Sequence, residues 1–360
     1  MRPTRLPGPV VRAALRPFSA AYGRALEIRA RLHRSGALAS ERVSAPVISV
    51  GNLTLGGTGK TPFVEVLARR FLFEGRRPAV VSRGYGRGSK GVVVVSEGQG
   101  PRIGPEEGGD EPVAIARRVP GVIVVVGEKR ADAARAAIDR GADLILLDDG
   151  FQHLGLRRDL DLLLVDAADP FGGGRLPPEG RLREPLSALS RADAVVFTRI
   201  DRGEPPAGVV AELARRNPEA PVFTARIRSA GLWDERGSPV ASSLLAARRF
   251  VAVCGIANPG RFAQSIRELD LTAEEILTFP DHHAYRRRDL EAIRAVADER
   301  GGAWILTTEK DAVKLEGKTS LPVVTLRIEV EVGEAGFFPF LLSRIAAVSP
   351  PSRRVSAPRS

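Results

Sequence analysis

Cysteine is nearly absent from the 360-residue sequence, where Cys254 stands alone. A single thiol excludes a disulfide within the chain and a cysteine zinc cluster, and it fits a reducing cytoplasm. Aromatic residues make up only 5% of the chain, too few for the stacking platforms that read single-stranded nucleic acid. No nucleic-acid partner is therefore expected. No run reaches the roughly 18 apolar residues of a membrane-spanning helix, and the N-terminus lacks the uninterrupted apolar segment of a signal peptide. Acidic charge is also short: 54 Lys and Arg against 43 Asp and Glu leave a net charge of +11. That excess attracts phosphates and anionic lipid. The length allows two domains and a sizeable core.

What is present centres on Pro46–Phe73. Pro46–Val50 is an apolar run suited to a buried strand, and Thr61–Phe73 places Val64, Leu67, Ala68, Phe71 and Leu72 on one helical face. Between them lie Thr54, Leu55, Gly56, Gly57, Thr58, Gly59, Lys60 and Thr61. Strand, glycine-rich loop and helix are the setting of a phosphate-binding loop, in which glycines let backbone N–H groups close on phosphate oxygens. Lys60 would reach the β- and γ-phosphates of a nucleotide, and the Thr61 hydroxyl would hold Mg²⁺. The strict motif has glycine at position 54, where this chain has Thr54.

The first 42 residues carry nine arginines and two acids, interleaved with Val10, Val11, Leu15, Phe18, Tyr22, Leu26 and Ile28. Val10–Leu32 reads as a basic amphipathic helix, lying either in a membrane interface or on the protein's own core. Pro17 is expected to kink or interrupt it. Strands are predicted at Pro78–Ser82, Val92–Ser96, Val122–Gly127, Asp143–Asp149, Asp159–Asp166 and Ala194–Thr198, with helices between, as in a mostly parallel α/β sheet. Phe171–Pro185, with four glycines and three prolines, is a long loop. A connection is placed around Pro218–Val240. Strands at Phe250–Gly255, Glu274–Phe279, Ala303–Thr308 and Val323–Val330 and helices at Arg261–Leu269 and Arg287–Arg300 form a second α/β unit. The expected division is a basic helix region over 1–44, a P-loop domain over 45–220, a smaller α/β domain over 221–348 and a disordered tail over 349–360.

Asp148 and Asp149 end an apolar strand, where a P-loop enzyme needs an acid for Mg²⁺. Asp166 ends a rival strand. Asp110 opens a helical pattern and reads equally as an N-cap or as a carboxylate accepting a hydroxyl proton. His282 and His283 hold half of the chain's four histidines, and one of them could pair with a carboxylate. Arg83, Tyr85, Arg130 and Arg183 lie in basic loops able to grip an anion. Thr198-Arg199-Ile200-Asp201 has a partial likeness to a guanine-reading motif, which keeps open a GTPase acting in metal or cofactor insertion. A basic protein that only binds membrane or nucleic acid is the other alternative.

Taken in order, Ser49–Pro62, Ser82-Arg-Gly-Tyr-Gly86, Gly109-Asp-Glu-Pro112, Asp148-Asp-Gly-Phe-Gln-His153, Leu182-Arg-Glu-Pro185, Asp281-His282 and Thr308-Glu-Lys-Asp311 span nearly the whole chain. This series resembles the tetraacyldisaccharide 4'-kinase family, including Thr54 in the loop. The resemblance implies a P-loop kinase that uses ATP and Mg²⁺ to phosphorylate a lipid A disaccharide precursor at the cytoplasmic face of the inner membrane. No protein partner is inferred. It suggests Asp110 as general base tuned by His282, Lys60 and Thr61 on ATP and Mg²⁺, and Asp148 or Asp149 at the metal. Arg83, Tyr85, Glu111, Arg130 and Arg183 would contact the acceptor headgroup or the transferring phosphoryl group.

Overall fold

Short Val- and Leu-rich runs buried on both faces need helices above and below them, and a parallel sheet supplies that arrangement. In the computed structural model, residues 9–200, 204–333 and 335–348 are described. Asp201 and the tail Ser349–Ser360 lie outside the described residues, as do residues 1–8 and the side chains of Val10 and Val11. The first half runs α1 (Pro9–Arg34), β1 (Val47–Asn52), α2 (Lys60–Phe73), β2 (Pro78–Ser82), β3 (Val93–Glu97), α3 (Pro105–Gly108), α4 (Asp110–Arg118) and β4 (Ile123–Val126). It continues with α5 (Arg130–Ile138), β5 (Leu144–Asp148), β6 (Leu160–Asp166), β7 (Ala194–Thr198) and α6 (Ala207–Arg216). The second half contains β8 (Val222–Asp234), β9 (Pro239–Val240), α7 (Ser242–Arg248), β10 (Phe250–Cys254), α8 (Pro259–Glu268) and β11 (Ile276–Thr278). It ends with α9 (Arg287–Arg300), β12 (Trp304–Thr308), α10 (Glu309–Leu315), β13 (Val323–Val332) and α11 (Phe337–Val348).

Among the described residues thirteen strands join one sheet, in the order β11-β10-β12-β13-β8-β7-β6-β1-β5-β2-β4-β3, with β9 beside β8. Pairing is parallel except at β3–β4, β8–β9 and β8–β13. The phosphate-loop strand β1 lies between β5 and β6, so the loop leaves the middle of the first parallel block. The carboxyl ends of its parallel strands face one crevice, the place where open α/β sheets bind ligands.

Three expectations change. Pro218–Val240 contains the thirteen-residue strand β8 rather than a connection. Its Gly231, at φ +93°, lies at a bulge opposite Arg327 and Ile328, so the small residues that read as breakers re-aim a strand instead. Pro17 does not interrupt α1, which runs unbroken through it. The third change is α11, which the sequence reading left unassigned; it places Phe337, Leu341 and Ile345 on one buried face.

The α1 helix docks on the protein by one face and leaves another exposed. Ser19 is buried and donates to the Leu176 carbonyl at 3.2 Å, and a Cβ at Gly23 would lie 2.8 Å from Leu176, so this face docks on the long loop. Phe18, Tyr22, Ile28 and Leu32 remain exposed. No helix among the described residues is long and apolar enough to cross a membrane.

Phe337 packs edge-on against Phe63 of α2 (5.7 Å between ring centroids) and Phe223 of β8 (5.1 Å). It is fully buried and ties α11 to the phosphate-loop helix. Phe337→Ala should cost about 3–5 kcal/mol, read as a lower urea midpoint with an unchanged m value. A loss below about 1 kcal/mol would mean that α11 is not part of the core.

Candidate active site

The loop after β1 is shaped by backbone pairing before any ligand enters. Leu55 N–H donates to the Arg181 carbonyl and Arg183 N–H to the Leu53 carbonyl, each at 2.7 Å, so the loop's first limb is pinned to Arg181–Arg183. Thr54, buried, bridges Leu182 there. Its hydroxyl approaches Asn52, whose Nδ2 donates to the Thr54 carbonyl at 2.8 Å. A side chain at position 54 thus has a structural use. Gly59 immediately precedes α2 at φ +83°, and a Cβ there would come within 2.8 Å of Ile227. Both facts require glycine.

Lys60 Nζ donates to Asn52 Oδ1 at 3.2 Å and lies 3.6 Å from Asp149. Thr61 Oγ1 donates to Asp148 Oδ2 at 3.3 Å. Arg183 Nη1 reaches both oxygens of Asp149 at 2.7 Å. The two carboxylates therefore differ. Burial, with Glu111 and Asp149 adding negative charge, pushes the Asp148 carboxyl up to about 7 against the pull of Lys60 and Thr61. Burial also opposes charge on Asp149, but Lys60 and Arg183 outweigh it and hold that carboxyl below its ordinary value. Asp149 has φ +54°, a costly conformation for a non-glycine residue that places its carboxylate between the two cations.

Two buried oxygens beside the loop, Asp148 Oδ1 and Thr58 Oγ1, have no hydrogen-bond partner. A buried carboxylate oxygen left open next to a threonine hydroxyl and a phosphate loop fits Mg²⁺, which takes one or two carboxylates plus substrate phosphates. Among the described residues no cluster of three or more His, Cys, Asp or Glu could hold a metal without such phosphates. The rival acid Asp166 is engaged elsewhere, paired with Arg199 and with Arg261 (3.2 Å).

A cleft of about 1200 Å³ opens beside the loop. Leu55 to Thr61, Asp148, Asp149 and Arg183 line one wall, with Arg83, Tyr85, Glu111 and Arg130 further along. His282, Asp281 and Lys310 come from the second half of the chain. Asp110 lies just behind this wall and is 6% exposed. His282 Nδ1 is 3.1 and 3.2 Å from its two oxygens, across 172 residues of sequence. The Asp110 carboxylate also accepts the Glu111 N–H at 3.0 Å and lies 3.5 Å from Lys314. Burial works against its charge, yet His282, Lys310 and Lys314 hold it below the ordinary range. The N-cap position itself belongs to Gly109. His283 points elsewhere: it meets Asp289 at 3.0 Å and stacks on Phe279. The choice between the adjacent histidines is thus made by geometry.

Arg130 is buried, donates to the Gly127 carbonyl at 2.8 Å, and is lowered to about 10 by burial and by Arg83. Tyr85 is two-thirds exposed, with its ring 4.7 Å from that of His282. Sequence reasoning gave no role to Asn52, Gln152, Lys310, Lys314 or Arg118. Gln152 Nε2 donates to the Asn52 carbonyl at 2.8 Å, and Arg118 joins Glu65 of α2 (2.9 Å) to Glu309 of α10 (2.7 Å). Gln152 and Lys310 stood inside quoted motifs, which was the available signal; Arg118 had none.

A parallel sheet with a glycine loop, a Lys-Thr pair at the helix start and an acid on the adjacent strand end defines a P-loop nucleotide-dependent enzyme. The chain belongs to the tetraacyldisaccharide-1-P 4'-kinase family, whose profile matches residues 11–346. It is 42% identical over 319 residues to the tetraacyldisaccharide 4'-kinase of Anaeromyxobacter sp. (strain K), covering 86% of this chain and 84% of that one. The Geobacter sulfurreducens enzyme of the same name is 41% identical over 318 residues, 87% of each chain. The "apo" form of LpxK from Aquifex aeolicus in complex with ATP superposes with a TM-score of 0.77 at 35% identity, covering 93% of this chain and 99% of that one. The chain is accordingly an ATP-dependent phosphotransferase with a hydroxyl acceptor.

The raised Asp148 carboxyl has a measurable consequence. The native state holds this proton up to about pH 7, whereas an unfolded aspartate loses it near 4. The resulting stability is full below about pH 4 and is lost as pH rises through about 7. The stability of Asp148→Asn relative to wild type should therefore climb between these limits and level off above them. A difference that does not change with pH would refute the assigned burial.

Proposed function

We infer that this chain transfers the γ-phosphate of ATP to the 4'-hydroxyl of a tetraacylated glucosamine disaccharide 1-phosphate in lipid A biosynthesis. The observation that carries the residue roles is that His282, paired with Asp110 just behind the wall, lines the same cleft as the Lys60–Thr61–Asp148 group. Phosphoryl transfer is mainly positioning and charge stabilisation, and each part has a residue here. Lys60 and the backbone of Leu55–Gly59 hold the phosphates. Thr61 and Asp148 would hold Mg²⁺, with Asp149 kept in the ion pair that orients Lys60 and Arg183. When bound, the ion would neutralise charge on the transferring phosphates.

Asp110 takes the proton of the attacking hydroxyl, and His282 orients it. Arg183 lies near enough to Lys60, through Asp149, to meet the transferring group. Arg83, Tyr85, Glu111 and Arg130 receive the acceptor's sugar and phosphate. Because Asp110 and His282 come from opposite sides of the cleft, the pair forms only when the two sides meet. The division into a P-loop domain over 45–220 and a smaller domain over 221–348 is the mechanical counterpart of that requirement.

The acceptor is a lipid, and α1 supports an encounter at a membrane surface. Phe18, Tyr22, Ile28 and Leu32 are exposed on a helix whose charge is mainly arginine, the composition of an interfacial helix on anionic lipid. We place the enzyme peripherally on the cytoplasmic side of the inner membrane. Replacing Phe18 and Tyr22 together by Asp should lower sedimentation with anionic vesicles while ATP binding persists. Unchanged vesicle binding would remove α1 from the contact.

The reaction is tested with γ-labelled ATP and a detergent-dispersed lipid A disaccharide 1-phosphate precursor. Lys60→Ala should weaken both nucleotide binding and transfer. Asp110→Asn should reduce turnover about 10²-fold or more with ATP affinity preserved. Collapse of ATP affinity in Asp110→Asn would make Asp110 structural. Full activity in Lys60→Ala would remove the phosphate-loop assignment.

A further inference from the structure

Thr308-Glu309-Lys310-Asp311 is the motif whose purpose the reaction above leaves open, and its four side chains serve one junction. Thr308 caps α10 and Glu309 holds Arg118. Asp311, fully buried, accepts the Gly255 N–H at 2.8 Å, while the Gly255 carbonyl accepts the His282 N–H at 3.2 Å. The backbone turn that carries His282, at φ +59°, is thereby pinned from α10. Lys310 reaches the ring itself. Its Nζ is 2.9 Å from His282 Nε2, 2.8 Å from Asp281 Oδ1 and 3.5 Å from Glu111.

We propose that Lys310 is a positioning residue that fixes His282 as the neutral tautomer protonated at Nδ1, which leaves Asp110 as the group able to take a proton from the acceptor. An ammonium has three donors and no lone pair. It can hydrogen-bond to Nε2 only if that nitrogen is bare, so the ring's one proton lies on Nδ1 and is donated to Asp110. Burial works against the charge on Lys310, but Glu111, Asp110 and Asp281 outweigh it and hold the amine above its ordinary value. It is therefore an ammonium at neutral pH.

Two consequences follow from the charges around the ring. Asp110 and Asp281 (4.0 Å from Nε2) place negative charge beside the ring, with Glu111 adding to it through Lys310. Lys310 places positive charge directly at Nε2, and Lys314, beside Asp110 and Asp311, adds a second cation from the same helix. Tyr85 offers only a ring face. A neutral N–H orients the Asp110 carboxylate without the full charge of an imidazolium, which would weaken Asp110 as a base. His282 has no free lone pair with which to act as the base itself. In the transfer the acceptor O–H bond breaks and its proton goes to Asp110. The oxygen lone pair forms the bond to the γ-phosphorus, and the bond to the leaving ADP oxygen breaks with its electron pair. The His282 proton stays on Nδ1.

This inference rests on Asp110 as the base, but its first test does not. The four histidines of the chain, labelled with ¹⁵N, can be assigned with a His282→Gln sample, and long-range ¹H–¹⁵N spectra report which ring nitrogen is bare. At neutral pH the wild type should show His282 with a bare Nε2. In Lys310→Met, Nε2 should gain a proton, and the acid limb of kcat should move to higher pH. Turnover at neutral pH should fall about tenfold, with KM for ATP changed by less than about twofold. Lys310→Arg, which keeps a cationic donor, should restore the bare Nε2 and most of the turnover. If Lys310→Met does not fold, the wild-type and Lys310→Arg spectra still decide. A wild-type ring protonated at Nε2 overturns the proposal, as does a folded Lys310→Met with an unchanged tautomer and acid limb. Full transfer by Asp110→Asn would instead defeat the base assignment, and the two failures are distinct.

Discussion

The antiparallel pairing of β8 with β13 is the constraint on which the rest of the site depends. It is the longest strand pairing in the sheet, running from Val324–Asp234 to Val332–Ala225. It fuses two parallel blocks, one carrying the phosphate loop and one carrying His282. Because Phe337 of the following helix packs on Phe63 and Phe223, α11 also locks onto the phosphate-loop helix. Without that seam, Asp110 and His282 would have no reason to meet.

The second constraint is electrostatic. A chain of net charge +11 concentrates basic groups around a cleft meant for phosphates, yet its buried carboxylates each need a local answer. Asp149 is matched by Lys60 and Arg183, Asp110 by His282 and Lys314, and Glu65 and Glu309 share Arg118. Asp148, beside the phosphate loop, keeps one oxygen without a hydrogen-bond partner, and its carboxyl is pushed up to about 7. An unpaired buried carboxylate is costly in a resting protein and useful where a cation must be received. The contrast between neighbouring residues separates an open carboxylate from one held between Lys60 and Arg183.

The position of α1 shows how one element meets two demands. Small residues at Ser19 and Gly23 let it lie close against the Leu176 loop, while its aromatic and aliphatic side chains stay outside.

Much of this was legible in order along the chain. The glycine loop with Lys60 and Thr61, the strand ending at Asp148, and the strands Pro78–Ser82 and Ala194–Thr198 follow from local rules: apolar run, glycine, helical period. These signals are short-range, so the sequence alone determined the P-loop α/β character, the nucleotide chemistry and most residues of one wall. Tertiary structure decided what depends on distant partners. It made a strand of Val222–Asp234, whose Gly231 and Ser229 look like breakers until Arg327 and Ile328 stand opposite. It chose His282 over His283 and separated Asp148 from Asp149. It also brought Lys310 to the ring of His282. Each of these outcomes turns on which charge or strand faces a residue across more than 25 positions of sequence, information that spacing and composition do not carry.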